Sequence, residues 1–471
     1  MARKIFALLV VLASPVSSQT PADPFPQPIA ENSGGIVVNF TEFATIPDID
    51  GSAARMMILM DEPGTGRLFV NDMRGPIYGV SHNGTTVTQY VNINDPAWGF
   101  SVLSTGRERG FQSFAFHPQF GEEGSPGYGK FYTWSDTDNT DPQPDFSPGG
   151  DNDAHDTVLL EWTARNAAGA TYDGGRPKEL ARFQQPYGNH NGGQLGFNPV
   201  ASPGDRDFGM LYVGVADGGS GGDPLNLAQN LSSGFGKVLR LDPLASNTTN
   251  GEYGIPEDNP FANDGDEGTL GEIYAYGLRN PQRFAWDPQT GTMFLADIGQ
   301  GTVEELSIVR SGANLGWNVW EGSFRFGGRS GVDLDNRRGD PSVTYPIAEY
   351  GQVDPLLQRQ SAATGVHVYR ANVIPQLANT VLWGDNPSGE VFYLSADNIP
   401  NGGQEAVRRV LFNDGGEAKT LLQLIREKNV EQGKPPASRA DLRFGSGPAG
   451  EILLLNKADG IVRMLVPDEP R

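Results

Sequence analysis

Short apolar runs recur along this chain at a fixed place in a longer pattern. In "FAFHPQF…GKFYTWSD", "LGFNPV…GMLYVGVAD", "FAWDPQTGTMFLADIG" and "LRFGSGPAGEILLLNKADG", an apolar pair leads into a Pro or Gly turn. A β-rich run follows and ends in Asp or Asn. Looser copies stand at "ILMDEPGTGRLFVNDMRG" and "ANTVLWGDNPSGEVFYLSAD", and a further strand usually comes next, as in "IYGVSHNG", "TVLLEWTA", "GKVLRLDP", "VEELSIVRSG" and "GIVRMLVPD". Runs this short, punctuated by Gly and Pro, predict strands rather than helices. Repetition in units roughly fifty to ninety residues apart predicts an all-β fold, a six-bladed β-propeller with four-stranded antiparallel blades. A stacked sandwich is the alternative, but it does not account for repetition at this length. Propellers bind ligands where loops converge at one mouth of the channel, so the Asp or Asn closing each repeated strand is expected near that mouth.

Between the units lie polar insertions. "DTDNTDPQPDFSPGGDNDAHD" has the Asp spacing of a calcium loop at first sight. Counting from Asp136, however, the sixth residue is Asp141 rather than Gly and the twelfth is Ser147 rather than Glu, so a solvated loop is expected. "TLLQLIREKNVEQGKPP" keeps helical apolar spacing for two turns and then breaks, which predicts a helical surface insertion.

Composition supports this reading. The 62 Gly and 35 Pro of the 471 residues are scattered, as many turns require. A formal net charge of −22 without any dense Lys/Arg run makes nucleic acid and membrane surfaces poor partners. With no cysteine, disulfides, thiolate metal sites and Cys nucleophiles are excluded. The opening "MARKIFALLVVLASPVSSQT" has basic residues, a short apolar run and small residues, with Val16 and Ser18 suited to a cleavage site. Residues 1–18 are therefore expected to be a signal peptide, 19–35 an N-terminal extension, and 36–471 the single propeller domain. The mature protein is expected to be secreted or periplasmic, without membrane insertion, and a monomer or homodimer. Sequons at Asn39, Asn83, Asn230 and Asn247 matter only in a host that glycosylates.

The chemistry-bearing positions are few. Of five histidines, His117 and His367 adjoin apolar strands, His82 lies in an Asn-Gly turn and His155 in the acidic loop. His190, in "YGNHNGGQLG", stands among small polar residues that leave a ligand room. In "YAYGLRNPQRF", Pro281 holds Asn280 extended, and Arg279 beside it can grip a carboxylate or carbonyl. "ADIGQGTVEEL" offers main-chain oxygens around Gly299 and Gln300, with Glu304 and Glu305 nearby, the oxygen donors that Ca²⁺ prefers. Asp217 closes a repeated strand and precedes the flexible "GGSGGD". That loop lacks the GK[ST] of a phosphate loop, which discards a nucleotide site.

Taken in order, "RGFQSFAFHPQF", "NHNGGQLGFNP", "ADGGSGGDPLNLAQNLSSGFGKVLRLDP", "GIPEDNPFA", "EIYAYGLRNPQRFAWDPQTG" and "LADIGQGTVEELSIVRSGANLGWNVWEG" resemble the glucose/sorbosone dehydrogenase family. The resemblance covers most of the mature chain and is densest from about residue 107 to 322. It implies a quinoprotein that oxidises a sugar (aldose) hydroxyl by hydride transfer to pyrroloquinoline quinone, held with Ca²⁺, and passes electrons to an external acceptor. On that resemblance His190 is the general base, and histidine ordinarily titrates near neutrality, as base catalysis needs. Arg279 and Asn280 match the quinone-contacting pair, Glu108 the Gln or Glu that faces the cofactor, and Gly299 and Gln300 the calcium-binding carbonyls, with Glu305 close by. Asp217 falls where a polar residue faces the sugar.

The chain departs from the family pattern at three places. Asn189 replaces an Asp beside the histidine, which would remove a carboxylate that stabilises the imidazolium. "WGDNPSGEVFYL" lacks the lysine expected against the quinone, and "SRADLRFG" offers Arg439 and Arg443 in place of an Arg-x-Arg pair. Such losses favour a second expectation: a calcium-stabilised carbohydrate- or protein-binding propeller without quinone chemistry. A calcium-dependent hydrolase using metal-bound water is a third.

Overall fold

The computed structural model describes residues 23–150, 152–357 and 360–467. The expected signal peptide lies outside the described residues. The chain forms antiparallel groups of four strands. The first is Met56–Asp61, Arg67–Asp72, Pro76–Ser81 and Val87–Asn92; the second is Phe111–Phe116, Lys130–Thr137, His155–Thr163 and Lys178–Gln185. The third is Leu195–Phe197, Leu211–Val215, Lys237–Leu241 and Ile273–Tyr276; the fourth is Pro281–Trp286, Met293–Asp297, Val303–Val309 and Ala348–Gly351. The fifth is Ala363–Tyr369, Thr380–Asp385, Val391–Ser395 and Arg408–Asp414. In the last group, Arg443–Ser446, Ile452–Leu455 and Ile461–Val466 take the N-terminal strand Ile36–Thr45 as their outer member. Its register runs from Asn39 opposite Val466 to Thr45 opposite Ile461. Parallel contacts of Ile36–Val38 with Val410–Phe412, and of Leu59 with Gly445, join the fifth, last and first groups into one 13-stranded run.

The cores lie between consecutive sheets. Phe69 and Tyr90 pack on Phe116 and Trp162, then Trp134 and Phe183 on Val213 and Phe235, then Tyr212 on Phe284 and Leu295. Phe294 and Tyr350 follow on Trp383 and Phe392, then Leu382 and Phe412 on Leu442 and Leu454, and finally Leu453 and Val462 on Leu59 and Val70. The succession of cores thus returns to the first sheet, whereas a two-layer sandwich would hold a single shared core. A sheet between two such cores is buried on both faces, and every residue of Phe111–Phe116 and Val303–Val309 is buried. That is why the strands read as apolar runs rather than as a clean alternation.

Two insertions differ from expectation. "TLLQLIREKNVEQ" forms a longer helix than two turns, Leu421–Glu431, whose Thr420 and Gln423 make a reciprocal capping box. It is not a surface element, because Leu421, Leu422, Leu424 and Ile425 are buried in the core between the fifth and last sheets. His155, expected in the acidic loop, instead begins a strand and is buried beside Asp136. The segment after Ala22 is also docked: Ile29 is fully buried and its N–H donates to Asp354.

Candidate functional site

The residues just ahead of the first strands of the second to last sheets converge on one cavity of about 470 Å³. Arg107 and Glu108 precede Phe111, Asn189 and His190 precede Leu195, and Arg279 and Asn280 precede Pro281. Ser361 and Ala362 precede Ala363, and Arg439 and Asp441 precede Arg443. The sheets share one chain direction, so their lead-in loops fall on one side. A volume of this size is within the usual range for small-molecule pockets, roughly 300–1,000 Å³.

His190 sits in this wall in the left-handed region, with φ of 58°. Its main-chain N–H donates to Glu108 Oε2 at 2.8 Å, which fixes the loop against the neighbouring sheet. Its Nδ1 lies 2.7 Å from Asp217 Oδ1. Asp217 also accepts from Gly219 N–H at 3.0 Å and from Trp317 Nε1 at 2.9 Å. Burial alone would raise the Asp217 carboxyl, but the charge and hydrogen bond of His190, and Arg279 beyond, hold it below its ordinary value. An ionised carboxylate only accepts, so Nδ1 is the donor toward Asp217, and in the neutral ring Nε2 is then the nitrogen with the lone pair. Nε2 makes no hydrogen bond to the described residues, and His190 lines the cavity.

This geometry corrects two expectations. Asp217 was expected to face the sugar, yet it is 2% exposed and lies behind the histidine. Asn189 was expected to leave the imidazole without a carboxylate; its side chain instead pairs with the main chain of Ser220, at 2.9 Å from N–H to Oδ1. Asp217 supplies the missing charge. In four other sheets the matching strand-end carboxylate has a different partner, the main chain ahead of its own first strand. Asp72 accepts from Arg55 N–H, Asp136 from Gly110, Asp297 from Arg279 and Asn280, and Asp385 from Ala362, at 2.6–2.9 Å. The third sheet therefore uses for the imidazole a carboxylate that its counterparts use to fix a strand. Gly219 makes the approach possible, since a Cβ there would lie 2.4 Å from Asn189 O.

The cationic side of the cavity is richer than the departures implied. Arg107, Arg279, Arg439, Arg443 and Lys457 all line it. Arg439 is paired with Asp441 at 2.6 Å. Arg279 has neutral partners, the Ile298 carbonyl at 3.0 Å and Gln300 Oε1 at 3.3 Å, and lies over the Trp317 ring. Arg443 donates to its neighbour's carbonyl, and its Nε is buried without a partner. Burial pushes its guanidinium down to about 10, still charged at neutral pH. Lys457 donates to the Arg107 carbonyl at 3.2 Å, and burial, then Arg443, pushes its ammonium well below the ordinary range. Cations that repel one another around an open space favour an anion between them. Lys457 thus brings a lysine to the cavity from the last sheet.

Beside Arg279, Gly299 and Gln300 line the cavity. A Cβ at residue 299 would lie 1.6 Å from Val303 O, so only glycine fits this turn. The Gln300 side-chain oxygen accepts from Gly222 N–H at 2.8 Å, while among the described residues no N–H reaches the Gly299 or Gln300 main-chain oxygens. Glu305, expected near the metal, does not line the cavity; it accepts from Gly322 N–H in a buried acidic layer with Asp297, Glu349 and Glu321, and burial raises it strongly. Among the described residues no group of His, Asp and Glu has metal-holding geometry, which leaves main-chain oxygens as the cation donors on offer. Asn280 lines the cavity with its Oδ1 buried and without a partner.

Sequence reasoning missed Arg107, Lys457 and Trp317. The signal for Lys457 was present, because it follows Asn456, the strand-end residue of the last repeat. Trp317 lay inside the matched stretch but carries no motif of its own.

A family model described as Glucose / Sorbosone dehydrogenase matches residues 55–411. The HIPL2 protein of Arabidopsis thaliana is 31% identical over 372 residues, 71% of this chain and 51% of that protein. The chain thus spans about half the length of this curated relative. The aldose sugar dehydrogenase YliI of Escherichia coli (strain K12) is 29% identical over 212 residues, 45% of this chain and 48% of that one. Among solved structures, the soluble aldose sugar dehydrogenase of Escherichia coli in its apo-form superposes with a TM-score of 0.61 at 18% identity, covering 91% of this chain and 99% of that one. The PQQ-bound aldose sugar dehydrogenase of Streptomyces coelicolor gives 0.55 at 17% identity, covering 92% and 99%. At these identities the likeness is one of fold.

Proposed function

Since this chain belongs to the glucose/sorbosone dehydrogenase family, we propose that it is an exported quinoprotein that oxidises an aldose hydroxyl, on a closed six-bladed propeller. The observation that carries the reading is the His190–Asp217 pair, whose free Nε2 faces a cavity ringed by cations.

Pyrroloquinoline quinone carries three carboxylates, and the donor set suits it. Among the described residues Arg279, Arg443 and Lys457 pair with no carboxylate, and Asn280 Oδ1 is an orphaned buried acceptor at the cavity wall. Arg279, Asn280, Glu108, Arg439, Arg443 and Lys457 would hold the quinone, and the free Gly299 and Gln300 carbonyls would take Ca²⁺. When bound, the quinone accepts the hydride from the sugar carbon.

The protein's own share is proton chemistry. His190 Nε2 accepts the proton of the sugar hydroxyl as the C–H bond breaks, which leaves a carbonyl on the product. The imidazolium so formed is stabilised by Asp217, whose position is set by Trp317 Nε1 and Gly219 N–H. Glu108 holds the His190 backbone and so the direction of the ring.

The test is reconstitution. Protein mixed with pyrroloquinoline quinone and Ca²⁺ reduces an artificial dye when given aldoses, and calorimetry detects quinone binding. A binding propeller without quinone chemistry gives neither signal, and a metal-dependent hydrolase turns over without the quinone.

A further inference from the structure

A second cavity, of about 580 Å³, opens at the far end of the same first strands. The first cavity is lined by residues ahead of those strands, whereas this one is lined by their later residues, such as Met60, Phe116, Phe197, Trp286 and Phe444. The two thus lie at opposite ends of the space that the first strands enclose. Its wall is mainly aromatic and aliphatic, with Asp61, Gln194, Asn198, Ser446 and Arg283 as its polar members. Arg283 is on it, 3% exposed, and is its single cation.

Arg283 makes no ion pair with the described residues. Its Nη atoms donate to the carbonyls of Gln282, Gly193, Met57 and Gln112, and its Nε is buried without a partner. The charged group nearest in effect is another cation, Arg443 of the first cavity, and burial and that neighbour together hold Arg283 well below its ordinary value. The wall's one carboxylate, Asp61, is bound to His82 at 2.8 Å. A buried cation without a counter-ion is costly, and an apolar chamber excludes hydrated ions. A ligand that answers both features has a flat apolar body and one carboxylate.

We propose that this second cavity binds a small aromatic monocarboxylate, its ring against Phe197 and Trp286 and its charge toward Arg283. The proposal does not depend on quinone chemistry in the first cavity.

The probe is 2-naphthoate, measured by calorimetry on the whole protein against neutral 2-naphthylmethanol, with Arg283→Met and Ala285→Phe as variants. Ala285 is a wall residue, and the larger side chain fills space there. Expected are saturable naphthoate binding, at least tenfold weaker binding of the neutral analogue, and at least tenfold weaker naphthoate binding by both variants. If Arg283→Met does not fold, Ala285→Phe carries the test. Equal binding of both compounds overturns the proposal, as does no binding at millimolar naphthoate. Binding that survives Ala285→Phe, or that pyrroloquinoline quinone displaces, places the probe in the first cavity and equally overturns it.

Discussion

Asp217 Oδ1 lies 2.7 Å from His190 Nδ1, in the place where Asp72, Asp136, Asp297 and Asp385 bind main-chain N–H groups of their own sheets. A structural carboxylate has become the orienting partner of a base. His190→Ala is expected to lower kcat by about 10²- to 10⁴-fold, the usual worth of a positioned base. Asp217→Asn keeps the shape but removes the charge, and is expected to cost on the order of 10²-fold. Dye-reduction kinetics measure both, and calorimetry is expected to find quinone binding retained in His190→Ala.

Lys457→Met tests the cation supplied by the last sheet. A charge-assisted hydrogen bond to a carboxylate contributes about 1.5–3 kcal/mol, so quinone affinity is expected to fall by about 10- to 100-fold. Calorimetric titration with the quinone measures it. An unchanged Kd would remove Lys457 from the binding set.

His367 predicts a pH dependence of stability. Its Nε2 lies 3.2 Å from the Gly450 carbonyl and its Nδ1 3.0 Å from Ser446 Oγ, an arrangement that satisfies the neutral ring. Burial pushes its pKa down to about 4 from 6.5. Between these values the unfolded chain binds more protons than the folded one. The contribution is therefore complete above pH 6.5 and lost as the pH falls through the window toward 4. The full shift corresponds to about 3 kcal/mol. His117, pushed down to about 4 by burial and then by Lys130, adds in the same direction. Denaturant midpoints from pH 7 to 4 should fall less steeply in His367→Gln.

The helix Leu421–Glu431 is core, not decoration. Ile425→Ala is expected to destabilise by about 2–5 kcal/mol and Thr420→Ala by about 1 kcal/mol. Equilibrium unfolding distinguishes these from a surface helix, for which Ile425→Ala would be near neutral.

The repeats were legible because each unit solves the same problem, covering both faces of a short sheet. The lead-in positions of His190, Arg279 and Asn280 were legible through family motifs. What the sequence concealed was pairing across units. Asp217 reads as one more strand end, and nothing local says that its partner is a side chain rather than an amide. Lys457 was overlooked although it follows the strand-end Asn456, because its place on the cavity is set by how the last sheet packs beside the first. The helix was misjudged because its apolar residues cover a junction between sheets, and that junction exists only after the ring of cores closes.

The pairing of Ile36–Thr45 with Ile461–Val466 has a consequence in time. A ribosome adds about 5–20 residues per second, so the first strand made waits on the order of tens of seconds for its partner. Through that wait it is an unprotected edge, the kind that recruits other chains. Its sequence, IVVNFTEFAT, interleaves Asn39, Thr41 and Glu42 among the apolar residues. Those polar residues let an early strand stay solvated until the last one arrives.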